Sequence, residues 1–232
     1  AVGDSQDDRI LGKRVLAFTR FGGYAQHVCT QVHACIVIDD KPAPELLALC
    51  TQGVTAYYMA NYLSPVRPGD KVLIHAAGGG VGTLLIQLCK AVGAYVIAKV
   101  GSPEKEALVG QLGADLIVNY KNTDYLVEIE SNCGKQAVDV TFNAVGGITF
   151  KQDKQLLAHG GRMFLFGGAA LGEGKLGILS QLNFLRKMGL MLPIGLMMGS
   201  RSVLGVNMLR IADHKPHVLA ACLEAVVARY DA

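Results

Sequence analysis

The chain lacks several features that would assign it to particular classes of protein. Its six cysteines include no C-x-x-C pair, so the clustered thiolates of a structural zinc lobe are missing. The net charge is only +3 and there is no basic run, which argues against a nucleic-acid partner. The most apolar stretch, residues 189–199, is shorter than the ~20 residues of a membrane helix and contains Pro193. We therefore expect a loop or short helix there, no membrane partner and, without a recognisable secretory signal, a cytoplasmic location.

Glycine, in contrast, is abundant. The 28 glycines and the 51% of hydrophobic residues suit an α/β domain with many tight βα turns. In the segment 71–94, the apolar run 72–74 is followed by glycines at 78, 79, 80 and 82 and then by a helical pattern. The positions predicted to share one helix face are Leu84, Leu85, Leu88, Ala91 and Val92.

A strand, a glycine turn and a helix in succession direct backbone N–H groups at a phosphate. The spacing is Ala77-x-Gly79-x-x-Gly82, and no lysine follows, which excludes a Walker A loop. A glycine-rich turn that binds nothing remains an alternative. The positions predicted to hold a nucleotide at this turn are Gly79, Gly80, Val81 and Gly82.

The end of the next strand bears on the choice of cofactor. NAD sites place a carboxylate about 20 residues after the turn, whereas here Val100 takes that position. Gly101 and Ser102 follow, and Lys105 and Tyr120 could close over a 2′-phosphate. Glu104 argues mildly against this, and Lys105 could also be an ordinary surface lysine. The missing carboxylate favours NADPH.

Short segments along most of the chain match one known family. In chain order they are 22–25 (GGYA), 51–58 (TQGVTAYY), 68–72 (PGDKV), 75–82 (HAAGGGVG), 101–105 (GSPEK), 112–115 (LGAD), 119–120 (NY), 143–147 (NAVGG) and 164–168 (FLFGG). In their order and spacing the chain resembles the zinc-free quinone oxidoreductase (zeta-crystallin-like) branch of the medium-chain dehydrogenase/reductases. Members of that family are longer than this chain, so we expect an internal fragment.

The resemblance implies an α/β fold: a Rossmann-type doubly wound parallel sheet with a partial GroES-like, β-rich catalytic domain. The expected domains are the GroES-like part at 1–44, the dinucleotide-binding domain at 45–209 and a C-terminal helix within 210–232. The predicted strands are 14–18, 24–29, 71–77, 94–100, 115–119, 138–142, 161–166 and 203–208. The predicted helices are 45–63, 80–92, 103–112, 123–133, 148–158 and 217–229.

The family also suggests which strand ends flank the nicotinamide. By resemblance Asn143, Val145, Phe166 and Gly167 should lie beside the nicotinamide and its ribose, with Thr55 near the carboxamide. Asn143 could equally be a turn-forming residue, and Phe166 could belong to the core.

Metal binding has one candidate, the pairs His27-x-Cys29 and His33-x-Cys35, which in an extended chain would each project to one face. Two half-buried strands explain these pairs as well. The family's zinc-dependent branch has a cysteine ligand where this chain has Thr51. We therefore expect no metal.

The resemblance implies hydride transfer from NADPH to a quinone or an α,β-unsaturated carbonyl without zinc. It also suggests a homodimer formed through the predicted strand 203–208. No Ser/His/Asp arrangement or carboxylate pair is recognisable, so the catalytic residues remain unknown. An enoyl-thioester or other double-bond reductase would share all these motifs. So would a non-enzymatic NADPH-binding protein, crystallin-like or similar to the synaptic-vesicle protein VAT-1.

Overall fold

The computed structural model describes residues 10–19, 21–38, 43–168, 186–189 and 191–230. The chain divides into two compact units. One comprises 1–63 and 207–232, and the other comprises Ser64–Val206. The domain boundaries predicted at 44/45 and 209/210 stay a prediction.

The larger unit is built on a six-stranded parallel sheet, which confirms the predicted α/β class. The order across the sheet is β5-β4-β3-β6-β7-β8, so the direction of winding reverses between β3 and β6. Ligands of such sheets bind beyond the carboxyl ends of the strands at this reversal. The strands are β3 (Lys71–Ile74), β4 (Tyr95–Val100), β5 (Leu116–Asn119), β6 (Val138–Asn143), β7 (Leu157–Leu165) and β8 (Ser202–Gly205).

A helix follows a strand wherever a helical spacing of apolar residues replaces a continuous apolar run. Right-handed crossovers place helices on both faces of the sheet. On one face, Leu73 and Ile97 pack with the helix residues Tyr125, Ile129 and Leu156 in a buried cluster. The helices are α3 (Gly80–Ala91), α4 (Pro103–Gln111), α5 (Tyr125–Cys133), α6 (Ile148–Leu156) and α7 (Pro193–Gly199).

The smaller unit is mostly helical. Its two short strands, β1 (Val15–Ala17) and β2 (Cys35–Val37), pair antiparallel. Two α-helical segments alternate with π-helical turns at Leu49–Gly53 and Tyr58–Leu63. The helices are α1 (Ala43–Ala48), α2 (Val54–Tyr57), α8 (Met208–His214) and α9 (Pro216–Tyr230).

Three sequence predictions were wrong in detail. The stretch 24–29 is not a strand, because every residue from 21 to 30 is exposed and no alternate side chain is buried. The last strand stops at Gly205 rather than reaching Met208, since the Asn207 side chain accepts a hydrogen bond from the Arg210 N–H and caps α8.

The third wrong prediction is the buried face of α3. The buried residues of this helix are Gly82, Leu85, Ile86 and Cys89. Of the five positions predicted to share the buried face, only Leu85 is fully buried. The close contact of Gly82 with the preceding turn rotates the helix about its axis relative to the predicted face. Within the described residues, no helix combines the length and apolarity needed to cross a bilayer, and 193–199 forms the short helix α7.

Candidate nucleotide site

The turn between β3 and α3 leaves its backbone donors open. Gly79 precedes the helix with an extended backbone, and no side chain caps the helix. In the described part of the chain, the N–H groups of Gly80, Val81 and Gly82 have no backbone acceptor, and the first bond of the helix runs from the Thr83 N–H to the Gly79 carbonyl. Such N–H groups and the helix dipole attract an anion.

Glycine is required at position 82 by close backbone approach. A Cβ there would lie 2.5 Å from the Ala76 carbonyl oxygen and 2.6 Å from the Ala77 Cα. Both neighbours are backbone atoms, so neither can rotate away. Ala76 itself has a φ of 50°, in the left-handed region, which shows how sharply the chain turns here. Gly82, the last glycine of the A-x-G-x-x-G spacing, therefore lets the first turn of α3 pack directly against the backbone of Ala76 and Ala77.

Two side chains predicted to bind a 2′-phosphate lie at the carboxyl ends of β3 and β4. The Lys105 stem packs against Gly78, where a Cβ would lie 2.9 Å from the Lys105 Cγ. The Tyr120 hydroxyl lies still closer over Gly101, 2.5 Å from the position of a Cβ. The structure thus places Lys105 at the glycine turn and Tyr120 at the end of β4, and their contact with a 2′-phosphate stays a prediction.

Ser102 precedes α4 and has a competing partner. Its hydroxyl is bonded to the fully exposed Glu104, and this bond, together with a backbone hydrogen bond, lowers the pKa of that carboxyl. Glu104 and Glu106 both lie in the first turn of α4, where a negative charge is favourable. An anion close to Ser102 would therefore meet a carboxylate as well as a hydroxyl.

The end of β6 is held by a side chain. The Asn143 Oδ1 accepts hydrogen bonds from the backbone N–H groups of Val145 and Gly146, at 2.9 Å and 2.8 Å. The Phe166 N–H donates to the Asn143 carbonyl, and Gly167 approaches Ala144 so closely that a Cβ would lie 2.6 Å from its carbonyl oxygen. The loops after β6 and β7 are thus brought together.

Thr55 is the one predicted residue outside this unit. It lies in α2, and its hydroxyl donates to the Thr51 carbonyl at 2.6 Å. Its role near a carboxamide stays a prediction.

Sequence reasoning missed a buried polar cluster beneath the same edge of the sheet, which contains His75, Lys99 and Asp153. A lysine inside the apolar run of β4 was the signal that could have revealed it, since lysine is almost never buried without a partner.

Across the described ranges, no group of three His, Cys, Asp or Glu side chains could hold an ion. Of the predicted pairs, His27 and Cys29 are exposed in a stretch without regular structure. Burial raises the pKa of Cys50, Cys89 and Cys222, to about 11, 12 and 11, so these thiols are poor metal ligands.

Known proteins resemble this chain over most of its length. The model of a family described as zinc-binding dehydrogenase matches residues 80–225. A probable quinone oxidoreductase of Schizosaccharomyces pombe is 36% identical over 172 residues, which are 73% of this chain and 52% of that protein. A synaptic vesicle membrane protein VAT-1 homolog of Danio rerio is 28% identical over 232 residues, 99% of this chain and 48% of that protein.

A solved structure of a quinone oxidoreductase is also similar to this chain. The quinone oxidoreductase from Thermus thermophilus, which has also been solved in complex with NADPH, aligns with a TM-score of 0.73 at 27% identity. The alignment covers 94% of this chain and 64% of that one. The chain spans about half the length of the curated relatives it matches. It belongs to the zinc-binding dehydrogenase family, and its predicted resemblance to the quinone oxidoreductases of the medium-chain dehydrogenase/reductases is confirmed.

Proposed function

We propose that this chain binds NADPH across the carboxyl edge of its sheet and serves an oxidoreductase that reduces a quinone or an α,β-unsaturated carbonyl without zinc. The single observation that carries the proposal is the packing of Lys105 against Gly78. It sets the stem of a lysine against the glycine turn whose helix has open N–H groups, next to a strand that ends in Val100 instead of a carboxylate. A cationic donor beside a 2′-phosphate favours NADPH over NADH.

The residues present fit this cofactor. Gly80, Val81 and Gly82 would donate backbone hydrogen bonds to the pyrophosphate, and Gly79 leaves room for its approach. Lys105, Ser102 and Tyr120, with Gly101 beneath the tyrosine, would surround the 2′-phosphate. The solved NADPH complex of the Thermus thermophilus relative supports this choice.

The nicotinamide half would meet the loops after β6 and β7. Asn143 and Val145 form one of these loops, and Phe166 and Gly167 form the other. Bound NADPH supplies a hydride, and the role of these residues is to orient the ring and exclude water. A conjugated acceptor delocalises the incoming charge, so no metal is needed to stabilise it.

The proposal includes a second copy of the chain as a partner. The strand β8 is at the edge of the sheet, and the preceding helix α7 exposes Ile194, Met197 and Met198. Pairing two copies along β8 would cover this edge strand and the apolar side chains of α7 together. A homodimer is therefore the assembly we favour.

Turnover tests the proposed activity. We expect the chain to oxidise NADPH in the presence of a para-quinone or an α,β-unsaturated ketone, and not with the saturated ketone of the same carbon skeleton. A chelator such as EDTA should leave the rate unchanged, because no metal takes part. The measurement is the loss of NADPH absorbance with time.

Two outcomes would contradict the proposal. NADPH binding without oxidation by either conjugated acceptor would favour the non-enzymatic alternative, which the likeness to a VAT-1 homolog supports. Reduction of an enoyl thioester in preference to both acceptors would favour the other double-bond reductases.

A further inference from the structure

A cluster of polar side chains is buried beneath the point where the sheet reverses its winding. Of the six buried polar or charged residues in the described part of the chain, five belong to it, and their exposed fractions are at most 7%. These five residues are His75, Lys99, Asn143, Thr149 and Asp153. Such burial is costly unless each group has a partner, so the cluster calls for an explanation.

The Asp153 carboxylate is the centre of this cluster. Its Oδ1 accepts from the Tyr125 hydroxyl at 2.9 Å and lies 3.0 Å from the His75 Nε2. Its Oδ2 accepts from the Asn143 Nδ2 at 2.6 Å. Burial, followed by the charge of Asp153, raises the pKa of Tyr125, so the tyrosine hydroxyl keeps its proton and donates. Three donors therefore converge on one carboxylate.

This arrangement fixes which way the Asn143 amide points. A carboxylate only accepts hydrogen bonds, so the Asn143 NH₂ group must face Asp153. The same NH₂ group also donates to the Thr149 hydroxyl at 2.9 Å. The amide oxygen is thereby turned the other way, towards the N–H groups of Val145 and Gly146.

Besides this oxygen, the Thr149 hydroxyl holds the loop by donating to the Gly146 carbonyl at 2.8 Å, but it leaves the Val145 and Gly146 N–H groups to Asn143. Gly146 and Gly147 have φ angles of 69° and 60°, a region that glycine adopts without strain and leaves readily. If the amide of Asn143 were reversed, its NH₂ group would face two backbone N–H groups. The loop would then lose both hydrogen bonds at once.

We infer that Asp153 is a positioning residue, which acts through the Asn143 amide to hold the loop after β6 in the shape that receives the nicotinamide half of the cofactor. The inference rests on the proposed function, because it supposes that this loop lies beside the nicotinamide. It also explains why a carboxyl group is kept at position 153, where the side chain is completely buried. An apolar side chain of similar volume would cost less to bury but could not orient an amide.

The replacement Asp153→Asn tests the orientation itself. An asparagine at 153 keeps the size and can still accept from Tyr125 and His75 through one oxygen. Its NH₂ group, however, would face the NH₂ group of Asn143 and drive that amide to reverse. We expect the affinity for NADPH to fall about tenfold, and the affinity for adenosine 2′,5′-bisphosphate, which lacks the nicotinamide half, to change less than twofold.

The exchange of both residues provides the rescue. In the double variant Asn143→Asp with Asp153→Asn, the amide at 153 would donate to the carboxylate at 143. That carboxylate would still accept from the N–H groups of Val145 and Gly146. We expect it to recover most of the NADPH affinity. The control is Asp115→Asn, which removes a carboxylate that accepts from Lys90 and the Val96 N–H at the opposite end of the sheet.

The outcomes separate the inference from the proposed function. If the unaltered chain binds neither ligand by fluorescence titration, the proposed function fails and the inference with it. If it binds both, but Asp153→Asn weakens both equally or the double variant is no better than the single one, only the inference is overturned. Loss of NADPH affinity alone, with recovery in the double variant and no change in Asp115→Asn, supports it.

Discussion

Replacing Gly82 by alanine is expected to lower the free energy of unfolding by about 3 kcal/mol and to abolish cofactor binding. The added methyl group would lie within 2.6 Å of backbone atoms of Ala76 and Ala77. Because no side-chain rotation relieves such a contact, the first turn of α3 must move away from β3. The open N–H groups of that turn would move with it. Urea unfolding followed by circular dichroism, and a titration with NADPH, would measure the two effects.

A second glycine of the same unit provides the control. Gly110 lies within α4, where a Cβ would meet only the Ile117 Cδ1, at 3.4 Å. Since alanine is the better helix former, Gly110→Ala should stabilise the chain by about 0.5–1 kcal/mol. Equal stability of the Gly82→Ala and Gly110→Ala variants would show that the turn is not closed by backbone contact.

Replacing Lys99 by methionine is expected to stabilise the chain at neutral pH by about 3 kcal/mol. Burial lowers the pKa of Lys99 to about 8, against the smaller opposing effects of Asp153 and Asp124. The ammonium lies 3.7 Å from the centroid of the Tyr125 ring, and only 7% of the residue is exposed. A shift from 10.5 to about 8 is worth about 3 kcal/mol, which is the cost of keeping the buried group charged.

The pH dependence of the free energy of unfolding shows whether the charge on Lys99 is the cause. Between pH 8 and 10.5 the unfolded chain holds a proton that the folded chain has released, so the stability contributed by Lys99 rises with pH across this window. The advantage of Lys99→Met should therefore be full below pH 8 and vanish above about pH 10.5. Urea unfolding of both proteins at a series of pH values would measure it.

Lys90→Met is the matched control for this prediction. Lys90 is one-third exposed and forms an ion pair with Asp115 at 2.8 Å. Its loss should destabilise the chain by less than about 1 kcal/mol, and this small effect should not follow the pH window of Lys99. A difference between Lys99→Met and the unaltered chain that stays constant over the whole pH range would contradict the account.

The alternation of strands and helices could be predicted because each βα unit carries its own pattern. Continuous apolar runs marked the buried parallel strands, and the glycine turn marked the start of α3. The buried face of that helix could not be read from hydrophobicity alone. It depends on where Gly82 meets the turn, which puts Cys89 inside and leaves Ala91 exposed.

The candidate site was predictable only where function leaves a sequence signature. Lys105 and Tyr120 were suggested by the missing carboxylate at Val100, and the structure brings both to the edge of the sheet. Asp153 carries no such signature, since a lone carboxylate in a helix is usually at the surface. Its role depends on contacts with residues 10 to 78 positions away in the chain, which the sequence does not display.

The affinities of the chain for NADPH and for NADH decide whether Lys105 serves a 2′-phosphate site. Dissociation constants for both cofactors would be measured at one ionic strength for the unaltered chain and for two variants, Lys105→Ala and the control Lys135→Ala. Lys135 lies beyond the end of α5, away from the carboxyl ends of the strands.

We expect NADPH to bind the unaltered chain and Lys135→Ala at least tenfold more tightly than NADH, a difference of about 1.4 kcal/mol. In Lys105→Ala the affinity for NADPH should fall towards that for NADH, because only the 2′-phosphate contact is lost. Equal affinities in the unaltered chain, or a Lys105→Ala variant with an undiminished preference for NADPH, would contradict it.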